Sequence, residues 1–107
     1  MTKDEGLMVL EEYYRYLREH RMDHLFWDGI NQAIITLGGE GDPTLDHEKY
    51  ARMYETDGIT LRQVIEEEIR WVGNILGENN RIFPEPDRSV AAALTMALEE
   101  LKRKGIV

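Results

Sequence analysis

The chain has 107 residues, no cysteine and a formal net charge of −8. A chain of this length can bury a core without disulfide bonds, and we expect one domain spanning residues 1–107. The absence of cysteine excludes disulfides, zinc–thiolate sites and cysteine nucleophiles. The acidic balance disfavours nucleic acid as a direct partner, because binding to a phosphate backbone depends on clustered Lys and Arg.

The negative charge is concentrated in the middle of the sequence. Residues 1–22 carry five acidic and four basic side chains, whereas residues 23–58 carry eight and two. Such a segment fits a basic surface on a partner protein, although acidic surfaces also keep small proteins soluble. No apolar run approaches the roughly 18 residues of a membrane span, and the first residues are too acidic for a secretion signal. We therefore expect a soluble, cytoplasmic protein with no membrane partner.

Two helices are predicted in the first third of the chain. The first runs to about His20, with Thr2 or Asp4 as N-cap, and the second covers residues 24–37, with Asp23 as N-cap. The sequence leaves open whether they are separate or form one bent helix. Their predicted apolar stripes are Leu7, Leu10, Tyr13/Tyr14 and Leu17, and Phe26, Ile30, Ala33, Ile34 and Leu37.

Some aromatic and apolar side chains do not fit these two stripes. Tyr13, Tyr14 and Tyr16 span most of a helix circumference, so at least one of them must face outward or toward a partner. Trp27 and Ile35 lie outside the second stripe. This helix is therefore predicted to be covered on two sides, which makes it either central in the fold or part of an oligomer contact.

A glycine-rich breaker at residues 38–43 is predicted to be a linker. It lacks the strand, helix and lysine context of a phosphate-binding loop and the pattern of a calcium loop. A short third helix is predicted to follow, capped by Asp42, opened by Pro43 and extending to Tyr54.

The clearest predicted helix begins after Thr60, which forms a capping-box pattern with Gln63, and Ile59 is placed to pack on Val64. It covers residues 61–76, and Glu68 is its only carboxylate near the apolar face. After a loop, a last helix is predicted over residues 88–104, capped by Asp87 or Ser89. Its apolar positions are Val90, Ala93, Leu94, Ala97, Leu98 and Leu101. The predicted fold class is therefore all-α, a compact bundle of four to five helices.

The three histidines are the first candidates for metal binding or acid–base chemistry, because histidine is the only common side chain that titrates near neutrality. His20 and His24 would lie one turn apart on a continuous helix, and Asp46, His47 or Glu48 could supply further ligands. The residues around them exclude a zincin motif and a carboxylate di-iron motif. A small metal-dependent or acid–base enzyme that uses His20, His24 and His47 is therefore the alternative hypothesis.

The leading hypothesis is a regulatory or interaction protein without catalytic activity or a cofactor, which forms a homodimer. A sharper version of this hypothesis is an inhibitor or adaptor that binds a basic protein surface. Acidic residues of the middle segment and three aromatic residues are the predicted partner-binding positions. These positions are Asp42, Asp46, Glu48, Glu55, Asp57, Tyr13, Tyr16 and Trp27.

Overall fold

The computed structural model describes residues 1–20, 24–77 and 88–105. In these residues the chain forms five α-helices and no strand, which confirms the prediction of an all-α bundle. The helices are α1 (Lys3–His20), α2 (His24–Thr36), α3 (His47–Asp57), α4 (Leu61–Gly77) and α5 (Arg88–Arg103).

The start of α1 is fixed by a capping box. The Thr2 backbone N–H donates to Glu5 Oε1 over 3.1 Å, and the Glu5 backbone N–H donates to Thr2 Oγ1 over 3.2 Å. This reciprocal pair satisfies two N–H groups that a helix start leaves without partners. Thr2 rather than Asp4 is therefore the cap.

Helices α1 and α2 are separate helices that fold back on each other. The Trp27 indole Nε1 donates to the Leu17 carbonyl oxygen over 3.2 Å. In one straight helix two residues ten apart would be separated by about 15 Å. This contact therefore settles the question that the sequence left open. The predicted cap Asp23 lies outside the described residues.

The prediction for the start of α4 is confirmed. Thr60 and Gln63 exchange hydrogen bonds of 2.8 and 3.2 Å between backbone N–H groups and side-chain oxygens. Ile59 packs in the same apolar cluster as Val64. In α5 all six predicted apolar positions are buried, and Gly105, with φ of +75°, follows the helix. The predicted cap Asp87 lies outside the described residues.

Helices α1, α2, α4 and α5 surround the main core, and α5 packs against the other three. Helices α2 and α4 approach closely at Gly29, where an added Cβ would lie 2.9 Å from Val64 Cγ1. Helix α3 packs on α2 and has a smaller apolar cluster built on Tyr50, Tyr54 and Val64. The described helices therefore form a four-helix core with α3 attached to one side.

The predicted start of α3 was wrong. The helix begins at His47, after Asp46, which caps it by accepting the Lys49 backbone N–H over 3.4 Å. The Asp42 carboxylate instead accepts the Thr44 backbone N–H over 2.9 Å. This local turn competes with helix formation, a common behaviour of Asp side chains. At the other end, Gly58 has φ of +70° and its N–H caps α3.

Candidate functional site

A polar network centred on Asp28 attaches α3 to α2. The Asp28 side chain is fully buried and accepts a hydrogen bond from the Tyr54 hydroxyl over 2.5 Å. His47 Nδ1 lies 2.9 and 3.1 Å from the two oxygens of the same carboxylate. A buried carboxylate is tolerated when it has such partners, and removing one partner is costly. Burial and the nearby Asp28 charge also raise the pKa of Tyr50.

The contact between Asp28 and His47 can orient an imidazole ring. When Nδ1 donates to a carboxylate, Nε2 is left to accept a proton or to bind a metal. The His47 side chain is 42% exposed, so part of the ring reaches solvent. His47 is not among the lining residues of either groove described below.

The other predicted metal ligands lie apart from this network. His20 is exposed, its Nδ1 is 3.1 Å from the Tyr16 carbonyl oxygen, and its ring stacks on Tyr16 at 4.3 Å. The side chain of His24 lies outside the described residues. Among the described residues, no three His, Asp or Glu side chains are placed to hold one metal ion. A site that uses all three histidines stays a prediction.

A second polar network fixes residues 38–43 against α1. Asp42 Oδ2 accepts the Tyr14 hydroxyl over 2.7 Å and an Arg18 N–H over 2.8 Å. The Asp42 backbone N–H donates to Asn31 Oδ1 over 2.7 Å. The Arg18 guanidinium lies 4.7 Å from the centre of the Trp27 ring, within the range of a cation–π interaction. Both the side chain and the backbone N–H of Asp42 therefore attach the predicted linker to neighbouring helices.

These contacts shift the pKa values of both partners. Hydrogen bonds from Thr44 and then from Tyr14 lower the pKa of the Asp42 carboxyl, and Arg18 adds a smaller effect in the same direction. Burial, followed by the hydrogen bond to Asp42, raises the pKa of Tyr14 to about 12. The ionised carboxylate and the neutral phenol are thus the forms that the fold stabilises.

Tyr13, one of the predicted partner-binding residues, is buried inside the protein. Tyr13 is 5% exposed and its hydroxyl donates to Glu68, which is 1% exposed. The pair connects α1 to α4 inside the protein. Glu68 therefore lies on the buried face of α4, where its position in the apolar stripe placed it. Tyr13, Tyr14 and Tyr54 each donate to an acidic side chain on another element.

The other predicted partner-binding residues divide into two groups. Asp42 and Asp46 have the internal roles described above, and Trp27 and Tyr16 are half-buried against the main core. Glu48, Glu55 and Asp57 are exposed. They form no ion pair with any residue in the described part of the chain. Only this second group is available to a partner without breaking an internal contact.

The outer side of α1 carries acidic residues that sequence reasoning did not select. The residues of this surface are exposed and follow one another along α1 at spacings of three and four, which places them on one side of the helix. Two of the basic residues in this region are used internally, since Lys3 pairs with Glu100 at 3.7 Å and Arg18 pairs with Asp42. We name this surface the α1 face; it comprises Asp4, Met8, Glu11, Glu12, Arg15 and Glu19.

The α1 face has a net negative charge and an apolar centre. Its four acidic residues form no ion pair within residues 1–20, 24–77 and 88–105, and Arg15 is its only basic residue. Met8 is 69% exposed. The periodicity of these acids was visible in the sequence, but the internal use of Lys3 and Arg18 was not.

Two of the surface grooves lie beside the candidate residues. A groove of about 470 Å³ borders the α1 face and includes Glu11, Arg15, Glu19 and Asp42 in its lining. The α2–α4 groove, of about 600 Å³, is lined by apolar side chains and by polar residues of α4. Its lining residues are Leu25, Phe26, Ile59, Gln63, Val64, Glu66, Glu67 and Arg70.

No protein-family model, curated protein or solved structure matches the chain. Within the described residues, none of the helices combines the length and the apolarity that crossing a bilayer requires.

Proposed function

We propose that the protein is a non-catalytic interaction protein that binds a basic surface of a partner protein through the α1 face. The observation that carries this proposal is the set of exposed carboxylates at Glu11, Glu12 and Glu19, which form no ion pair among the described residues. Acidic surfaces of this kind accelerate association with basic partners and select against acidic ones.

The arrangement of the other acids supports the choice of α1 over residues 24–58. Asp28 and Asp42 hold elements of the fold together, and Asp46 caps α3. Lys49 and Arg52 are exposed on the same helix as Glu48 and Glu55, which weakens the negative field of α3. The α1 face combines four acidic side chains with one basic side chain and the exposed Met8.

Charge reversal on two matched surfaces tests the proposal. One variant carries Glu11→Lys, Glu12→Lys and Glu19→Lys, and the control carries Glu40→Lys, Glu48→Lys and Glu55→Lys. Both variants change the net charge equally, and all six positions are exposed. Each protein is used to capture and cross-link partners from extracts of its own host, and cross-linked residues are mapped by mass spectrometry.

We expect the natural sequence and the control to capture the same partner, with cross-links to basic residues of that partner near α1. The α1 variant should lose it. If both variants lost the partner equally, net charge alone would explain the binding. If the α1 variant still captured the partner, the proposal would be contradicted.

A homodimer is the second part of the proposal, and its support comes from Ile35. The predicted aromatic contacts at Tyr13 and Trp27 are engaged inside the chain, whereas Ile35 is 45% exposed on α2. Light scattering at micromolar concentration should give twice the monomer mass of 12.5 kDa. Ile35→Asp should then yield the monomer. A monomeric natural protein would exclude the dimer and leave the α1 proposal intact.

A further inference from the structure

We infer that the α2–α4 groove is a second docking site, which takes an amphipathic helix of a partner protein with Lys or Arg beside its apolar stripe. The α1 face binds a surface through charge. The groove instead offers an apolar floor for inserted side chains.

The floor of the groove is apolar and partly open to solvent. Leu25, Phe26 and Ile59 are half-buried, and Val64 beneath them is 4% exposed. The groove volume of about 600 Å³ lies within the range of ligand-binding clefts. Filling it would remove the exposed parts of three large apolar side chains from water, which is favourable in proportion to the area buried.

The extent of the groove along α4 matches a short helix. Gln63 and Arg70 are both on α4 and both line the groove, and seven residues of α-helix span about 10 Å. Ile59 extends the lining beyond the start of α4. A partner helix of two to three turns could therefore place apolar residues at positions i, i+3 or i+4, and i+7 along this floor.

The charges around the groove favour a basic partner. Its lining contains the carboxylates of Glu66 and Glu67 and one guanidinium, that of Arg70. Glu66 pairs with Arg62 at 3.0 Å and Glu67 pairs with Arg70, but these are exposed pairs within one helix. Such exposed pairs contribute little to stability. Lysines of a partner can therefore compete for these carboxylates.

The groove floor is fixed from behind by α3. Leu25, Phe26 and Ile59 pack against the cluster of Tyr50, Tyr54 and Val64, and Tyr54 is bound to Asp28. A site that is ordered before binding loses less conformational entropy when it is occupied. The network centred on Asp28 therefore preorganises the groove.

Two designed peptides and two pairs of matched variants test the inference. The peptides have about 14 residues, roughly four helical turns, with the same leucine stripe and with either lysine or glutamate at the flanking positions. Ile59→Asp places a charge in the groove, and Met53→Asp places one on an exposed part of α3 outside it. The charge variants are Glu66→Lys with Glu67→Lys, and Glu11→Lys with Glu12→Lys on α1.

Affinity is measured by calorimetry, the contact site by NMR amide shifts, and the fold of each variant by circular dichroism. We expect the leucine–lysine peptide to shift amides of α2 and α4 around the groove, and the leucine–glutamate peptide to bind at least tenfold more weakly. Ile59→Asp and the double variant on α4 should each weaken binding at least tenfold. Met53→Asp and the double variant on α1 should leave the affinity within about twofold.

The charge variants keep the test valid if Ile59→Asp disturbs the fold, because Glu66 and Glu67 lie toward solvent. Shifts confined to α1, with loss of binding only in the α1 variant, would overturn the groove and leave the proposed function standing. Equal binding of both peptides would overturn the choice of a basic helix.

Discussion

Helix α1 and residues 24–58 use their charged side chains in opposite ways. In the sequence, residues 1–22 are nearly balanced and residues 23–58 are strongly acidic. In the folded protein, α1 directs Lys3 and Arg18 toward internal acidic partners and leaves its own carboxylates outside. Residues 24–58 instead use Asp28, Asp42 and Asp46 in buried, linking or capping positions.

This difference shows that the formal charge of a segment does not predict the charge of the surface that it forms. A carboxylate that accepts hydrogen bonds inside the fold contributes to stability, and a partner can reach it only by breaking those bonds. A carboxylate without an internal partner contributes little to stability and is available for binding. The two classes should therefore respond differently to substitution.

The largest expected effect is at Asp28. Asp28→Ala removes the acceptor of two hydrogen bonds and leaves the buried Tyr54 hydroxyl without this partner. We expect a loss of about 3 kcal/mol in the free energy of unfolding, measured by urea denaturation. The control Asp57→Ala, at an exposed position, should change it by no more than about 0.5 kcal/mol. Similar values for the two variants would contradict an internal role for Asp28.

A smaller effect is expected when one hydroxyl of the same network is removed. Tyr54 and Tyr50 are both 5% exposed on α3, but only the Tyr54 hydroxyl has a hydrogen bond to Asp28. Tyr54→Phe should cost about 2 kcal/mol, since the acceptor is a buried carboxylate. Tyr50→Phe should cost less than about 0.5 kcal/mol. If the two substitutions cost the same, packing rather than the hydrogen bond attaches α3.

The third prediction concerns pH and the contact between Tyr14 and Asp42. The folded-state pKa of Tyr14 is raised from 10.0 to about 12, so the neutral phenol is favoured in the fold. The stability from this shift is fully present below pH 10 and is lost as the pH rises through about 12. NMR of the tyrosine ring carbon that bears the hydroxyl should show this titration, and Tyr14→Phe identifies its signal. A midpoint near 10 would be inconsistent with burial and hydrogen bonding of Tyr14.

The lowered pKa of Asp42 gives the opposite dependence at the acidic end. The Asp42 carboxylate contributes to stability above pH 3.8, which is the ordinary pKa of the group. This contribution is lost as the pH falls through the lower folded-state pKa. Asp42→Asn should remove this part of the acid dependence. If acid unfolding of Asp42→Asn matched that of the natural sequence, the contact would have no effect on stability.

The smallest effect on stability is expected on the α1 face. Glu11→Lys and Glu12→Lys alter exposed side chains with no internal ion pair among the described residues, so each should change the free energy of unfolding by less than about 0.5 kcal/mol. Thermal and urea unfolding of the double variant test this expectation. A loss comparable to that of Asp28→Ala would mean that these carboxylates have an internal role.

The sequence predicted the helices well where local rules decide. The capping box of Thr60 and Gln63 and the six apolar positions of α5 were visible because such signals extend over a few residues. The start of α3 was misplaced because both Asp42 and Asp46 are suitable caps, and the contacts of Asp42 with Tyr14 and Arg18 are tertiary. Periodicity alone could not distinguish them.

The candidate sites were less predictable for the same reason. The partners of Asp28 are 19 and 26 residues away in the sequence, and Glu68 is 55 residues from Tyr13. No local pattern identifies such pairs. The α1 face is recognisable only once Lys3 and Arg18 are known to have internal partners.

The affinity of the captured partner for three purified forms of the protein tests the central claim most directly. These forms are the natural sequence, the α1 variant with lysine at positions 11, 12 and 19, and the control with lysine at positions 40, 48 and 55. We predict that the α1 variant binds at least tenfold more weakly and with a reduced dependence on salt, while the control stays within about threefold of the natural sequence. Equal affinity for the natural sequence and the α1 variant would contradict the account.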